Sequence, residues 1–211
     1  MINSTAAFFL MGSFVVNHAS DASNPSDLDL YAHKKIIPTE LKEEILLALS
    51  YYPELKDTEI EFVFSESIRT SIMQAQPRAR SVLWKKDRRQ YVIRISRYFH
   101  LSQTHTRIES LPKEVLIGWI GHELGHIMDY SARGRRGMAR FGAGYALSKR
   151  YIRKAERVAD TFAVERGLLP YILATKNFIL DHADLSESYK RKIRRLYLSP
   201  DEVMALADSF K

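Results

Sequence analysis

The sequence contains no cysteine. Disulfides, thiolate metal sites and cysteine nucleophiles are therefore excluded, whichever redox compartment the chain occupies. It also lacks an apolar run of the roughly 20 residues that an ordinary helical membrane span needs. The segment Ala6 to Val16 (AAFFLMGSFVV) has only 11 residues. That is long enough for the core of a signal peptide, and the small-polar stretch behind it offers Ser20-Asp21-Ala22 as a cleavage site, although no Lys or Arg precedes the run. If the run is such a core, the protein is exported or periplasmic; otherwise the segment is a packed or disordered cytoplasmic tail. Internal repeats and low-complexity tracts are missing. So is any nucleic-acid recognition module or basic strand interleaved with aromatics.

The 211 residues are 45% hydrophobic and 27% charged, which suits one globular domain with a real core. Residues 1–28 read as the apolar segment and a linker (SDASNPSDL), and 29–211 as the domain. The net charge is +7. Much of the excess lies in Arg133, Arg135, Arg136 and Arg140, in Lys149, Arg150, Arg153 and Lys154, and in 190–195 (KRKIRR). Such runs are ordinarily solvated helix faces or loops. Peripheral contact with an anionic membrane and binding to nucleic acid are the alternatives, and the missing recognition module speaks against nucleic acid. No feature sets an oligomeric state.

Pro38 to Ser50 (PTELKEEILLALS) carries helix signals: Pro and Thr at its start, acids in the first turns, and Leu41, Ile45, Ala48 and Leu49 on one face. The period then changes. Ile60 to Ser65 (IEFVFS) partly alternates and is rich in β-formers. Ser81 to Trp84 (SVLW) and Gln90 to Ser96 (QYVIRIS) flank the polar turn Lys85 to Arg89 and predict a β-hairpin. From Leu111 the pattern is helical nearly to the end. A helix runs from Pro112 to Tyr130, followed by a glycine- and arginine-rich loop over 134–144 with at most a helical start. A long helix then runs from about Ala146 to Arg166, capped by Gly167. Two shorter helices lie near 170–182 and 187–197, and Ser199-Pro200-Asp201-Glu202 opens a last one. The expected fold class is α+β: a small mixed or antiparallel sheet over about 58–96, packed on the 112–130 helix, then a mostly helical C-terminal half.

That helix carries Gly121-His122-Glu123-Leu124-Gly125-His126. Histidines at i and i+4 lie one turn apart on one face, so both imidazoles reach one ion at about 2.0–2.1 Å. Glu123, next to the first histidine, aims at the open coordination position and can take a proton from a water there. Nitrogen and oxygen donors without sulfur favour zinc, one ion per chain. An accidental motif is the bland reading. Against it, the flanks are apolar (VLIGWIG and IMDY), and burying these polar groups without a shared cation is costly.

A catalytic zinc takes three protein ligands and keeps one position for water. A third histidine six residues beyond His126 is excluded, because position 132 is Ala132. Thirty residues past His126 stands Glu156-Arg157-Val158-Ala159-Asp160. Glu156 and Asp160 are one helical turn apart on one face. Glu156 can complete a two-histidine, one-glutamate set. Asp160 can accept a hydrogen bond from the far ring nitrogen of a zinc histidine and fix its tautomer. Alternatively, both are exposed helix acids paired with Arg153, Lys154 or Arg157.

These two motifs resemble those of the gluzincin metallopeptidases, in which His-Glu-x-x-His is followed downstream by Glu-x-x-x-Asp. The second motif, with Glu156, Ala159, Asp160 and Ala163, is most similar to the CaaX-protease and HtpX-like branch. The chain does not show that branch's multiple membrane spans. A weaker similarity links it to the ImmA/IrrE-type regulatory peptidases through Glu156, Phe162-Ala163 and Leu168-Leu169-Pro170, the last part shifted by one residue. The resemblance covers about residues 115–167. It implies a zincin-like fold, hydrolysis of a peptide or protein substrate, and an extended substrate pairing with the strand that ends near Ile95 or Ser96. It also implies a tyrosine, histidine or arginine on the oxyanion, for which Tyr145, His182 and Arg157 are the candidates. His100 and His105 read as surface-loop histidines, and Trp84 and Trp119 as core or cleft wall. Two other classes stand beside the peptidase: a non-catalytic zincin-like scaffold for a protein partner, which would not need Glu123, and a basic nucleic-acid-binding protein.

Overall fold

The computed structural model describes residues 25–68, 71–82, 84–99, 106–181, 185 and 187–210. The Ala6–Val16 segment lies outside the described residues, as do His100, His105 and His182. The fold is α+β. Strands β1 (Lys35–Ile36), β2 (Ile60–Phe64), β3 (Met73–Pro77) and β4 (Tyr91–Ile95) form one mixed sheet in the order β1-β2-β4-β3. β2 is parallel to both β1 and β4, and β3 runs antiparallel to β4, with Met73 opposite Ile95 and Pro77 opposite Tyr91.

The hairpin partner expected for β4 is therefore corrected. Ser81, Val82 and Trp84, the described residues of that segment, are not in a strand; Ala79–Ser81 and Lys86–Arg88 are 3-10 turns. Ser81 stitches this connection, its hydroxyl lying 3.0 Å from the Arg78 carbonyl while accepting the Gln90 N–H at 3.1 Å. The true partner, Met73-Gln74-Ala75-Gln76-Pro77, alternates apolar and polar residues but has no β-branched or aromatic residue and ends in proline. An edge strand tolerates that composition, including a proline, because only one side of its backbone must pair within the sheet.

A short helix α1 (Pro25–Leu28) precedes α2 (Lys42–Ser50). Leu41, Ile45, Ala48 and Leu49 are fully buried, as their shared face requires. α3 (Lys113–Ala132) carries the histidine motif and is buried at every position from Val115 to Ile127. Such a helix must be covered on all sides; α2, β3 and two later helices, α5 (Lys149–Glu165) and α6 (Leu169–Asp181), cover it. At its C-terminal end the buried Arg89 donates to the carbonyls of Tyr130 at 2.7 Å and Arg133 at 3.2 Å, placing a cation where the helix dipole is negative.

The loop expected over 134–144 is instead helix α4 (Arg135–Leu147). Each glycine costs roughly 1 kcal/mol of helix propensity. Met138 and Phe141, three apart, offset that cost by burying one face, and Gly144 lets the ring of Tyr151 pack directly on the backbone. The long helix expected from Ala146 is accordingly split: Ser148 caps α5 by accepting the Tyr151 N–H at 3.3 Å. Gly167 follows with φ +91°, a left-handed conformation that favours glycine. α7 (Glu187–Leu196) and α8 (Pro200–Asp208) are the last described helices, α8 opening at the expected Ser199 N-cap, where Glu202 returns the bond to form a capping box.

Candidate metal centre and its cleft

His122 and His126 leave α3 one turn apart and face α5. Their Nε2 atoms lie 3.1 and 3.3 Å from the same oxygen, Oε2 of Glu156. One donor atom from each of the three residues falls within 4.8 Å of the others, and all three residues are buried. Among the described residues this is the one such group of three or more. Asp160, one turn after Glu156, holds Nδ1 of His122 at 2.9 Å. That bond makes Nδ1 a donor to the carboxylate and turns Nε2 towards Glu156, so Nε2 is the nitrogen that faces the shared point. The donor set therefore fits a zinc ion: two imidazole nitrogens and one carboxylate converge, and Asp160 orients one imidazole so that its Nε2 faces the shared point. His126 Nδ1 is buried without a partner, so only His122 has an outer carboxylate.

Glu156 and Asp160 are not exposed helix acids; they are 4% and 1% exposed. Asp160 is also held by Lys176 of α6, whose Nζ lies 2.8 Å from Oδ2. Burial works against both carboxylates. For Glu156 the two histidines outweigh burial and hold the carboxyl well below its usual range. For Asp160, Lys176 and His122 outweigh burial and lower the carboxyl below its usual value. His122 is the counterpart: burial opposes its charge, yet Asp160 and Glu156 hold its imidazolium proton up to about 10.

Glu123 stands apart from this set. It is 7% exposed, and its Oε2 accepts the N–H of Ala75, in β3, at 2.6 Å. Burial pushes its carboxyl above the usual range, against the pull of His126 and His122. A buried carboxylate with a raised pKa is a stronger base than a free one.

The centre lies in a cleft of about 610 Å³. One lip is β3 with Val82, the other is α4 through Met138, Phe141 and Tyr145, and Glu123, His126 and Glu156 lie between them. The strand facing the cleft is therefore β3; β4, the strand first expected there, is interior to the sheet. The two outward groups of Ala75 point into the cleft, its N–H to Glu123 and its carbonyl to the Tyr130 hydroxyl at 3.4 Å.

Of the three oxyanion candidates, Tyr145 reaches the centre, its hydroxyl donating to Oε1 of Glu156 at 3.2 Å. Burial keeps that hydroxyl protonated by raising its pKa. Arg157 pairs with Glu202 at 3.0 Å and does not line the cleft. His182 lies outside the described residues. Trp119 is buried, while Trp84 is 42% exposed.

The sequence reading missed Tyr130, Tyr197, Lys176 and Ala75. Tyr130 stacks on His126 at 5.9 Å; its i+4 spacing from that histidine was the available signal. The Tyr197 ring lies 5.6 Å from that of His122. Nothing local to Tyr197 or Lys176 marks either residue. No family model, curated protein or solved structure matches the chain.

Proposed function

We propose that the protein is a zinc-dependent peptidase of the gluzincin kind with a zincin-like domain. The observation that carries this reading is the convergence of both His Nε2 atoms on Glu156 Oε2, at 3.1 and 3.3 Å, from a separate helix. The placement of β3, α3 and the cleft supports it. His122, His126 and Glu156 would hold the ion. When bound, zinc supplies Lewis acidity, acidifying a water and polarising a carbonyl.

The chain's own groups do the rest. Glu123 accepts the proton as water attacks the carbonyl and delivers it to the leaving amine. Tyr145 is the donor placed to stabilise the oxyanion, since its protonated hydroxyl already reaches Glu156. An extended peptide adds to the edge of β3, replacing the Glu123 and Tyr130 contacts of Ala75 with its own main chain; this leaves substrate sequence open. The test is metal analysis and casein cleavage by the parent beside Glu123→Gln. The variant should keep about one zinc, since Glu123 is not a ligand, and lose roughly 10²–10⁴-fold in rate. Parent-rate cleavage by the variant would overturn the mechanism. A parent that binds zinc but cleaves nothing over a broad panel would make the chain a scaffold.

A further inference from the structure

The outward side of α4 and the first turns of α5 has a charge pattern that folding does not explain. From Tyr130 to Ala155 there are eight Lys or Arg and no Asp or Glu. Arg133 pairs with Asp129. The other seven are exposed, three on α4 and four within the first six residues of α5. Arg135 and Arg136 open α4, Lys149 and Arg150 open α5, and neither first turn holds an acid. Cations there oppose the helix dipole and cost stability. α8, by contrast, opens with Asp201 and Glu202.

Apolar surface shares this face. Arg136, Arg140, Ala143 and Leu147 follow one another at i, i+4, i+7 and i+11, so they lie along one side of α4, and all four are exposed. Leu147 is 86% exposed, more than any other large hydrophobic residue among those described. Met138 and Phe141, on the inner side, hold the helix at the cleft. Two residues beyond Val82 of the opposite lip, Trp84 is 42% exposed and is followed by exposed Lys85, Lys86, Asp87 and Arg88, a run that remains net cationic.

We infer that the two lips of the cleft form a docking surface for an anionic lipid bilayer, with the cations on the head groups and Leu147 and Trp84 entering the interface. Cations alone would equally suit nucleic acid. The exposed leucine decides for a membrane, because a duplex backbone offers it nothing to bury against. Resting on the peptidase reading, the substrates would be peptides held at the bilayer surface, where the cleft opens. The docking itself does not rest on that reading.

The test is flotation of the full chain with phosphatidylcholine vesicles, with and without phosphatidylserine. Binding is expected only to the anionic vesicles, and it should fade between ~0.1 M and ~1 M salt as the screening length falls from about 10 to about 3 Å. Each cation near the surface contributes roughly fivefold in affinity, so Arg150→Gln with Arg153→Gln and Lys154→Gln should weaken binding roughly 10²-fold. Leu147→Ser should weaken it roughly tenfold by removing apolar burial. Circular dichroism checks that each variant is folded. Absence of binding to anionic vesicles at low salt overturns the inference. So does unchanged binding by Leu147→Ser, together with equal affinity for random DNA, which would leave only a polycation. Glu123→Gln should float like the parent, so a failed peptidase reading and a failed docking surface give different results.

Discussion

Gly125 of α3 lies so close to Ala159 of α5 that a Cβ built on the glycine would sit 2.4 Å from the Ala159 carbonyl oxygen. Gly125 is inside the histidine motif and Ala159 inside the Glu156–Asp160 motif. The two motifs therefore meet through backbone contact, and that contact sets the distance from the histidines to Glu156. The obstacle to a side chain is backbone, which cannot swing aside.

Gly125→Ala should therefore separate α3 from α5. Overpacking typically costs about 1–3 kcal/mol, and a clash with backbone belongs at the upper end. Urea unfolding of the metal-free chain measures the loss, and zinc titration should show weakened affinity. Gly142→Ala is the comparison: nothing lies within 4 Å of its added methyl, and it should gain up to about 1 kcal/mol from helix propensity. Equal stability of the two variants would refute this account of the interface.

Glu156→Ala should lower zinc affinity far more than Glu165→Ala. Glu156 is 4% exposed and meets both histidines, whereas Glu165 is exposed and pairs only loosely with Arg166 at 3.8 Å. Competition with a chelator of known affinity reads the difference. Comparable affinities would remove Glu156 from the ligand set.

Lys176→Met should destabilise the protein. Lys176 is 5% exposed and Asp160 1%, so the variant leaves a buried carboxylate with only His122 and a long contact to the Leu198 N–H at 3.4 Å. Breaking a buried pair from one side typically costs about 3–5 kcal/mol. Adding Asp160→Asn should recover part of that loss, because the unpaired charge is gone. A double variant less stable than Lys176→Met would contradict this.

The pH dependence follows from opposite shifts. Glu156 is depressed below 4.5, so its contribution to stability is present above that value and is lost as pH falls through the lower folded value. His122 is raised from 6.5 to about 10, so its contribution is complete below 6.5 and is lost as pH rises towards 10. In the metal-free protein the pair stabilises fully between these limits. Zinc needs His122 without its Nε2 proton, so zinc affinity should rise with pH across 6.5 to 10. Calorimetric titration in buffers of different ionisation enthalpy should show proton release at pH 7. An affinity independent of pH would show that His122 is not the proton competing with the metal.

Much of the centre was legible because its information is local. His122, Glu123 and His126 sit within five residues, and Glu156 and Asp160 one turn apart, so helical periodicity alone puts each set on one face. The N-cap at Ser199 and the end at Gly167 are legible for the same reason. The misreadings fall where local pattern is weak. β3 alternates over only five residues and lacks β-branched or aromatic side chains, because an edge position asks little of them. α4 hid behind its glycines, whose cost is met by the contacts of Phe141 and Tyr151, ten residues apart.

By itself, the sequence determined the candidate donor types, their helical spacing, the absence of sulfur and the α+β class. Tertiary structure alone decided that Glu156 reaches both histidines, that Lys176 neutralises Asp160, that Ala75 meets Glu123, that Tyr130 and Tyr197 flank the imidazoles, and that β3 and not β4 borders the cleft. Each of those depends on how closely two separate segments pack. That distance is set by contacts such as Gly125 on Ala159, in which a missing side chain matters more than any residue present, and a missing side chain leaves no periodic trace to read.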